Sequence, residues 1–128
     1  MATVLVVDDD RAFQRLVRLV LRAERFEVLE ACSGEEGLEV IQVGAALPDL
    51  ILLDLAMPGM DGREFFFQAR RAGYGGPVLF CSSFGATAAN EELGGQGAVT
   101  KPFDPETLVA SVRSLLAAGE MPAVRSPA

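Results

Sequence analysis

The chain has 128 residues, half of them hydrophobic, which is enough for one sizeable core and too little for two domains. A net charge of −7, from 18 acidic against 11 basic residues, makes it a poor partner for a phosphate backbone, so direct nucleic-acid binding is not expected. There is no histidine, which excludes a phosphohistidine carrier and a histidine general base.

Cys32 and Cys81 stand in no metal-binding spacing and read as buried thiols in a reducing compartment. The start, Met1-Ala2-Thr3-Val4, lacks a basic leader and runs directly into a strand-like segment. No apolar run reaches membrane-spanning length, and a cytoplasmic protein is expected. Lys101 is the single lysine among 11 basic residues. It is either a leftover of an arginine-rich composition or a site that needs a compact ammonium instead of a planar fork.

Thr3 to Val7 is a β-branched and leucine run that ends in Asp8-Asp9-Asp10, a buried strand with carboxylates at its exit. Phe13, Leu16, Val17, Val20 and Leu21 then recur at helical spacing. Arg11, Arg15, Arg18, Arg22 and Arg25 form a basic stripe on the opposite face. Such a stripe is a solvated face or, since like charges at these intervals repel, a docking surface for an acidic partner. Glu27 to Ala31 is a second strand, and Ser33 with Glu36 makes a capping box for a short helix ending near Gly44.

The stretch Asp49 to Gly62 is central. Leu50-Ile51-Leu52-Leu53 is a short apolar run bounded by turn residues, a strand buried on both faces, and it stops on Asp54. Loops at the carboxyl ends of parallel strands are where ligands bind. A helix follows from about Arg63 to Ala72, closed by Gly73. Phe65 and Phe66 fall on its core face with Ala69. Phe67 falls outward, either folded onto Tyr74 or the Arg70 stem or left as a partner contact.

Val78 to Ser82 is a fourth strand, Ala88 to Leu93 a short weak helix, and Gly97 to Thr100 a fifth strand leading into Lys101-Pro102-Phe103. Asp104 and Pro105 are an N-cap and first helical residue for a final amphipathic helix built on Leu108, Val112, Leu115 and Leu116. Residues 1–117 are expected to form the domain and 118–128 a flexible tail or truncated linker. Alternating strands and helices of this kind predict one doubly wound α/β domain, a five-stranded parallel sheet with helices on both faces.

The strand exits then supply Asp8, Asp9, Asp54, Ser82 and Lys101. Clustered carboxylates raise one another's pKa unless a cation joins them. Oxygen-only ligands without His or Cys suit Mg²⁺. A metal, an ammonium and a hydroxyl around a carboxylate make a site for a phosphoryl group, with the carboxylate as nucleophile.

The acidic pair after the first strand, D-x-x-M-P-G-M-D-G at Asp54, the hydroxyl ending the fourth strand and K-P-F at Lys101 together resemble the receiver domains of response regulators, over about residues 3 to 117. The resemblance implies the strand order 2-1-3-4-5. It implies that Asp54 accepts a phosphoryl group from a histidine kinase or histidine phosphotransfer protein, and that Asp9 ligates Mg²⁺ directly with Asp54 and the Ala56 carbonyl. Asp8 would hold a metal-bound water, Ser82 would hydrogen-bond the phosphoryl group and Lys101 would pair with it. The Lys101–Pro102 peptide is often cis in the family. Such a domain is no enzyme beyond catalysing its own phosphorylation and slow dephosphorylation. It signals by a conformational change to a downstream target or effector domain, as a monomer or weak dimer, without contacting nucleic acid or membrane itself.

Some positions depart from the pattern. The switch aromatic expected three residues before Lys101 is Ala98, and the interval from Ser82 to Lys101 is short. In the family, the residues two after the phosphoacceptor and two after the hydroxyl orient the hydrolytic water. Here they are Ala56 and Phe84, which implies slow self-dephosphorylation. Other readings are a pseudo-receiver that serves only for interaction, and a hydrolase of the haloacid-dehalogenase type. The latter needs an aspartate two residues after the nucleophile, where this chain has Ala56.

Overall fold

In the computed structural model, residues 1–44, 46–83, 85–93, 97–101 and 103–120 are described. Five strands alternate with five helices: β1 (Thr3–Val7), α1 (Arg11–Ala23), β2 (Glu27–Ala31), α2 (Gly34–Val43), β3 (Leu50–Leu53), α3 (Gly62–Arg71), β4 (Val78–Ser82), α4 (Ala86–Leu93), β5 (Gly97–Thr100) and α5 (Pro105–Glu120). All strands are parallel, in the order β2-β1-β3-β4-β5. The sheet divides the core into two layers. Val4, Val6, Leu50 and Leu52 face α1 and α5. Leu5, Val7, Ile51 and Leu53 face α2 and α3. Central strands covered on both sides explain the unbroken apolar runs.

The helix starts follow from their caps. Asp10, Ser33, Asp61 and Asp104 accept hydrogen bonds from the amides of Phe13, Glu36, Glu64 and Thr107. Asp10 is therefore a cap and not a third site carboxylate. Glu36 reaches back to the Cys32 amide, one residue beyond the usual capping-box partner. α4 begins two residues before the expected Ala88. α5 continues to Glu120, past the boundary expected at 117, and residues 121–128 of the expected tail lie outside the described residues.

Two expectations for α1 are corrected. Its inner stripe is Gln14, Val17 and Leu21, while Leu16 is 50% exposed. An i, i+3, i+4 apolar pattern does not fix the edges of the buried stripe. Arg25 also falls outside the helix, so the basic stripe ends at Arg22. Phe67 does not fold onto Tyr74 or Arg70; it is 57% exposed, and the Arg70 guanidinium lies over Phe66 and Tyr74 instead. Of the two cysteines, Cys81 is buried and Cys32 only partly so. Burial pushes the Cys81 thiol up to about 12, which keeps it protonated and unreactive at neutral pH.

α1 and α3 end in the same motif. After α3, Gly73 and Tyr74 donate their amides to the Arg70 and Ala69 carbonyls, and Gly73 has φ 105°. After α1, Arg25 and Phe26 donate to Arg22 and Leu21, but the left-handed position holds Arg25 at φ 71°. Phe26 and Leu21 are both buried and supply the motif's apolar contact. A Cβ in this conformation costs about 1–2 kcal/mol, partly offset in a glycine by its greater freedom when unfolded. Arg25→Gly should therefore stabilise the fold by about 0.5–1 kcal/mol, read as a rise in the urea midpoint at unchanged slope.

Candidate functional site

The strand register brings the exits of β1, β3, β4 and β5 to one edge. Asp54 follows β3 directly, and its amide donates to the Val7 carbonyl at 3.0 Å, which holds the β3 exit against β1. The Lys101 amide likewise donates to the Ser82 carbonyl at 2.9 Å, tying the β5 exit to that of β4. After Asp54, the Gly62 amide closes the loop on the Leu55 carbonyl at 3.0 Å. Gly62 has no room for a side chain. A Cβ there would collide with the Asp54 carbonyl oxygen and lie 2.7 Å from the Leu55 Cα.

Asp8, Asp9 and Asp54 each present a carboxylate oxygen, and the three atoms lie within 4.8 Å of one another. Asp8 and Asp54 are buried, whereas Asp9 is exposed. Burial holds the Asp54 carboxyl above its usual range, and the charge of Asp8, more strongly than that of Asp9, adds to the rise. Lys101 and a hydrogen bond from the Ala56 amide to Asp54 Oδ1 at 3.3 Å act the other way without cancelling it. A cation at this point would relieve both the repulsion and the desolvation, and a set of hard oxygen donors fits a magnesium-like ion.

Asp8 is fully held. Its Oδ1 accepts from the Asp10 amide at 2.9 Å, and its Oδ2 receives the Lys101 ammonium at 2.8 Å. Burial works against the charge on Lys101, but the hydrogen bond and charge of Asp8, with Asp54 behind it, outweigh burial and raise its pKa. The ammonium also sits 4.0 Å from the centroid of the Phe13 ring. Phe13 in turn meets Phe103 edge to face at 5.8 Å. Phe103 thus packs against α1 through Phe13, which gives the last residue of the K-P-F run a physical role.

The sequence-predicted residues Asp8, Asp9, Asp54 and Lys101 are brought together, Ser82 is buried at the neighbouring strand end, and Ala56 is exposed in the loop. Phe84 and the Lys101–Pro102 peptide lie outside the described residues. Two residues with site contacts escape the reading of the sequence. Phe13 shows there only as part of an apolar stripe, and Gln14 does not show at all. Gln14 shares the spacing of Val17 and Leu21, and a polar residue in that register is the available signal.

The fold gathers three carboxylates and an ammonium at the sheet's carboxyl edge, the architecture of an α/β signalling domain with an acidic pocket. A family profile described as the response regulator receiver domain matches residues 4–113, and the chain belongs to that family. It is a receiver domain of two-component response regulators. Among curated relatives it is 36% identical to a DNA-binding response regulator, MtrA, of Mycolicibacterium smegmatis, over 91% of this chain and 51% of the relative. It is 35% identical to a probable transcriptional regulator, ycf27, of Cyanophora paradoxa, over 93% of this chain and 50% of the relative. The chain thus spans about half the length of these relatives. Among solved structures, chemotaxis protein CheY4 of Vibrio cholerae matches at TM-score 0.81 and 32% identity, covering 90% of this chain and 98% of that one. A CheY-like receiver domain from Methanospirillum hungatei matches at TM-score 0.85 and 25% identity, covering 94% and 97%.

Proposed function

We propose that Asp54 is the phosphoacceptor of this receiver domain. The observation that carries the reading is the convergence of three carboxylates within 4.8 Å, among them Asp54, which burial and its acidic neighbours hold above its usual pKa. An Asp54 carboxylate oxygen attacks the phosphorus of a phosphohistidine on a partner kinase or phosphotransfer protein. The phosphorus–nitrogen bond breaks, and the imidazole leaves with the bonding pair and takes a proton from solvent. Asp9, Asp54 and the Ala56 carbonyl would hold Mg²⁺ directly and Asp8 through a water, and the ion would neutralise charge on the phosphoryl oxygens. Both carboxylate oxygens of Asp8 are already engaged, which suits an indirect role. Lys101 swings from Asp8 to the phosphoryl group, and Ser82 donates its hydroxyl to it.

The outer face of α1 supports docking of the donor. Exposed Arg11, Arg15 and Arg22 stand beside Leu16 and Leu19, which are 50% and 63% exposed, in an otherwise acidic chain. Arg18 is the exception, paired with Glu30 at 3.0 Å. The downstream target or effector domain is not set by these residues. Among the described residues no helix is long and apolar enough to cross a membrane, in keeping with a cytoplasmic module. Receiver domains are not classical enzymes, and the chemistry here falls on the chain's own Asp54. Exposed Ala56 offers no polar side chain to orient a hydrolytic water, which favours a long-lived phosphoprotein.

Incubation with acetyl phosphate and Mg²⁺ should add the mass of one phosphoryl group, and chelation should prevent it. An unlabelled protein under these conditions would overturn the reading. Lys101→Arg should slow labelling by about 100-fold, because a planar guanidinium that both pairs with Asp8 and stacks on the Phe13 ring does not replace a compact ammonium that moves to the phosphoryl group.

A further inference from the structure

We propose that Gln14 is the positioning residue that aims Asp9 at the metal. It is a polar side chain only 4% exposed on the inner stripe of α1. Its Nε2 donates to the Asp8 carbonyl at 2.9 Å and to the Ala31 carbonyl at 2.7 Å. Its Oε1 faces the Cys32 Sγ at 3.6 Å. Both ends of the amide thus have partners, which offsets the penalty of burying it.

The place of these bonds matters more than their number. The Asp8 carbonyl belongs to the peptide plane that joins Asp8 to Asp9. The Asp8 amide already donates to Ala31 at 3.1 Å, so Gln14 fixes the second side of the residue and the orientation of that plane. Asp8 has its own side chain pinned by the Asp10 amide and Lys101. Exposed Asp9 has no such hold among the hydrogen bonds of the described residues, and its direction follows from the backbone it stands on. Gln14 therefore acts on the metal through Asp9, as partners behind a ligand set its geometry elsewhere.

The inference rests on the proposed metal site, and its test separates the two. Mg²⁺ binding to the full chain is measured by isothermal titration well below the unfolding temperature. Gln14→Met keeps the shape and removes both donors, and it should weaken binding about tenfold or more. Val112→Ala, a buried change on α5, should lower stability and leave the affinity unchanged. In an Asp9→Asn background, Gln14→Met should have little further effect. If the wild type binds no Mg²⁺, the metal site itself is wrong. If the wild type binds and Gln14→Met binds as tightly, only the positioning role fails. An equal loss in Val112→Ala, or an undiminished loss in the Asp9→Asn background, also overturns it. Should Gln14→Met fail to fold, Gln14→Asn, one methylene too short to span both carbonyls, should show the same weakening, and wild-type affinity in that variant overturns the positioning role.

Discussion

Asp54→Asn should take no phosphoryl group from acetyl phosphate, and it should be more stable than the wild type in metal-free buffer at neutral pH. The second effect follows from the surroundings of the carboxyl. Burial, Asp8 and Asp9 hold the folded-state pKa above 3.8, so the ionised form is penalised in the folded protein. That penalty is complete above the folded pKa and vanishes below 3.8. The mutant's advantage in urea midpoint should therefore be largest at neutral pH and shrink as the buffer is acidified through that window. Saturating Mg²⁺ should reverse the order, since binding at 100 times the dissociation constant adds about 2.7 kcal/mol to the wild type alone. Full labelling of Asp54→Asn by mass spectrometry would remove Asp54 from its assigned role. An advantage that grows on acidification would contradict the account of its burial.

Gly62→Ala should cost about 3 kcal/mol, the upper end of the usual range for forcing atoms into a packed site. The added Cβ meets main-chain atoms of Asp54 and Leu55, not the tip of a flexible side chain. Backbone at the end of a central strand yields little. On a domain this size the change should lower the melting temperature by about 10 °C. Any relief would move Asp54 itself, so labelling of the folded fraction should slow as well. Gly75→Ala, where a Cβ meets nothing within 4 Å, should shift stability by less than about 0.5 kcal/mol. Equal melting temperatures for the two variants would show that the loop after Asp54 is not tightly built.

Much of this architecture is legible before folding. Apolar runs of four residues ending on Asp8, Asp54 and Ser82 carry their own meaning, because only a strand covered on both faces needs them. Ser33 and Asp104 announce helix starts through local hydrogen bonds that involve neighbours in sequence. What stays hidden depends on distant partners. Gln14 looks like a surface residue until the carbonyls of Asp8 and Ala31 are beside it. Leu16 and Val17 are both helical apolar residues, and only the position of β1 decides which one is buried. Arg25 continues a tidy four-three spacing of arginines, yet the chain has already turned. Lys101 stands out as the only lysine, but its seat between Asp8 and the Phe13 ring is a product of the fold.

The first turn of α1 presents two adjacent residues to the phosphoryl pocket, Phe13 beneath the ammonium and Gln14 beneath the acidic loop. The next residue, Arg15, is exposed on the other side of the same turn. One rigid coil of backbone is therefore both the floor under the two charges and the handle on the outside. Small donors such as acetyl phosphate have no grip there and meet the pocket without touching the handle. The proposed docking helix and the support of the pocket are thus one element, without any residue moving between the two tasks.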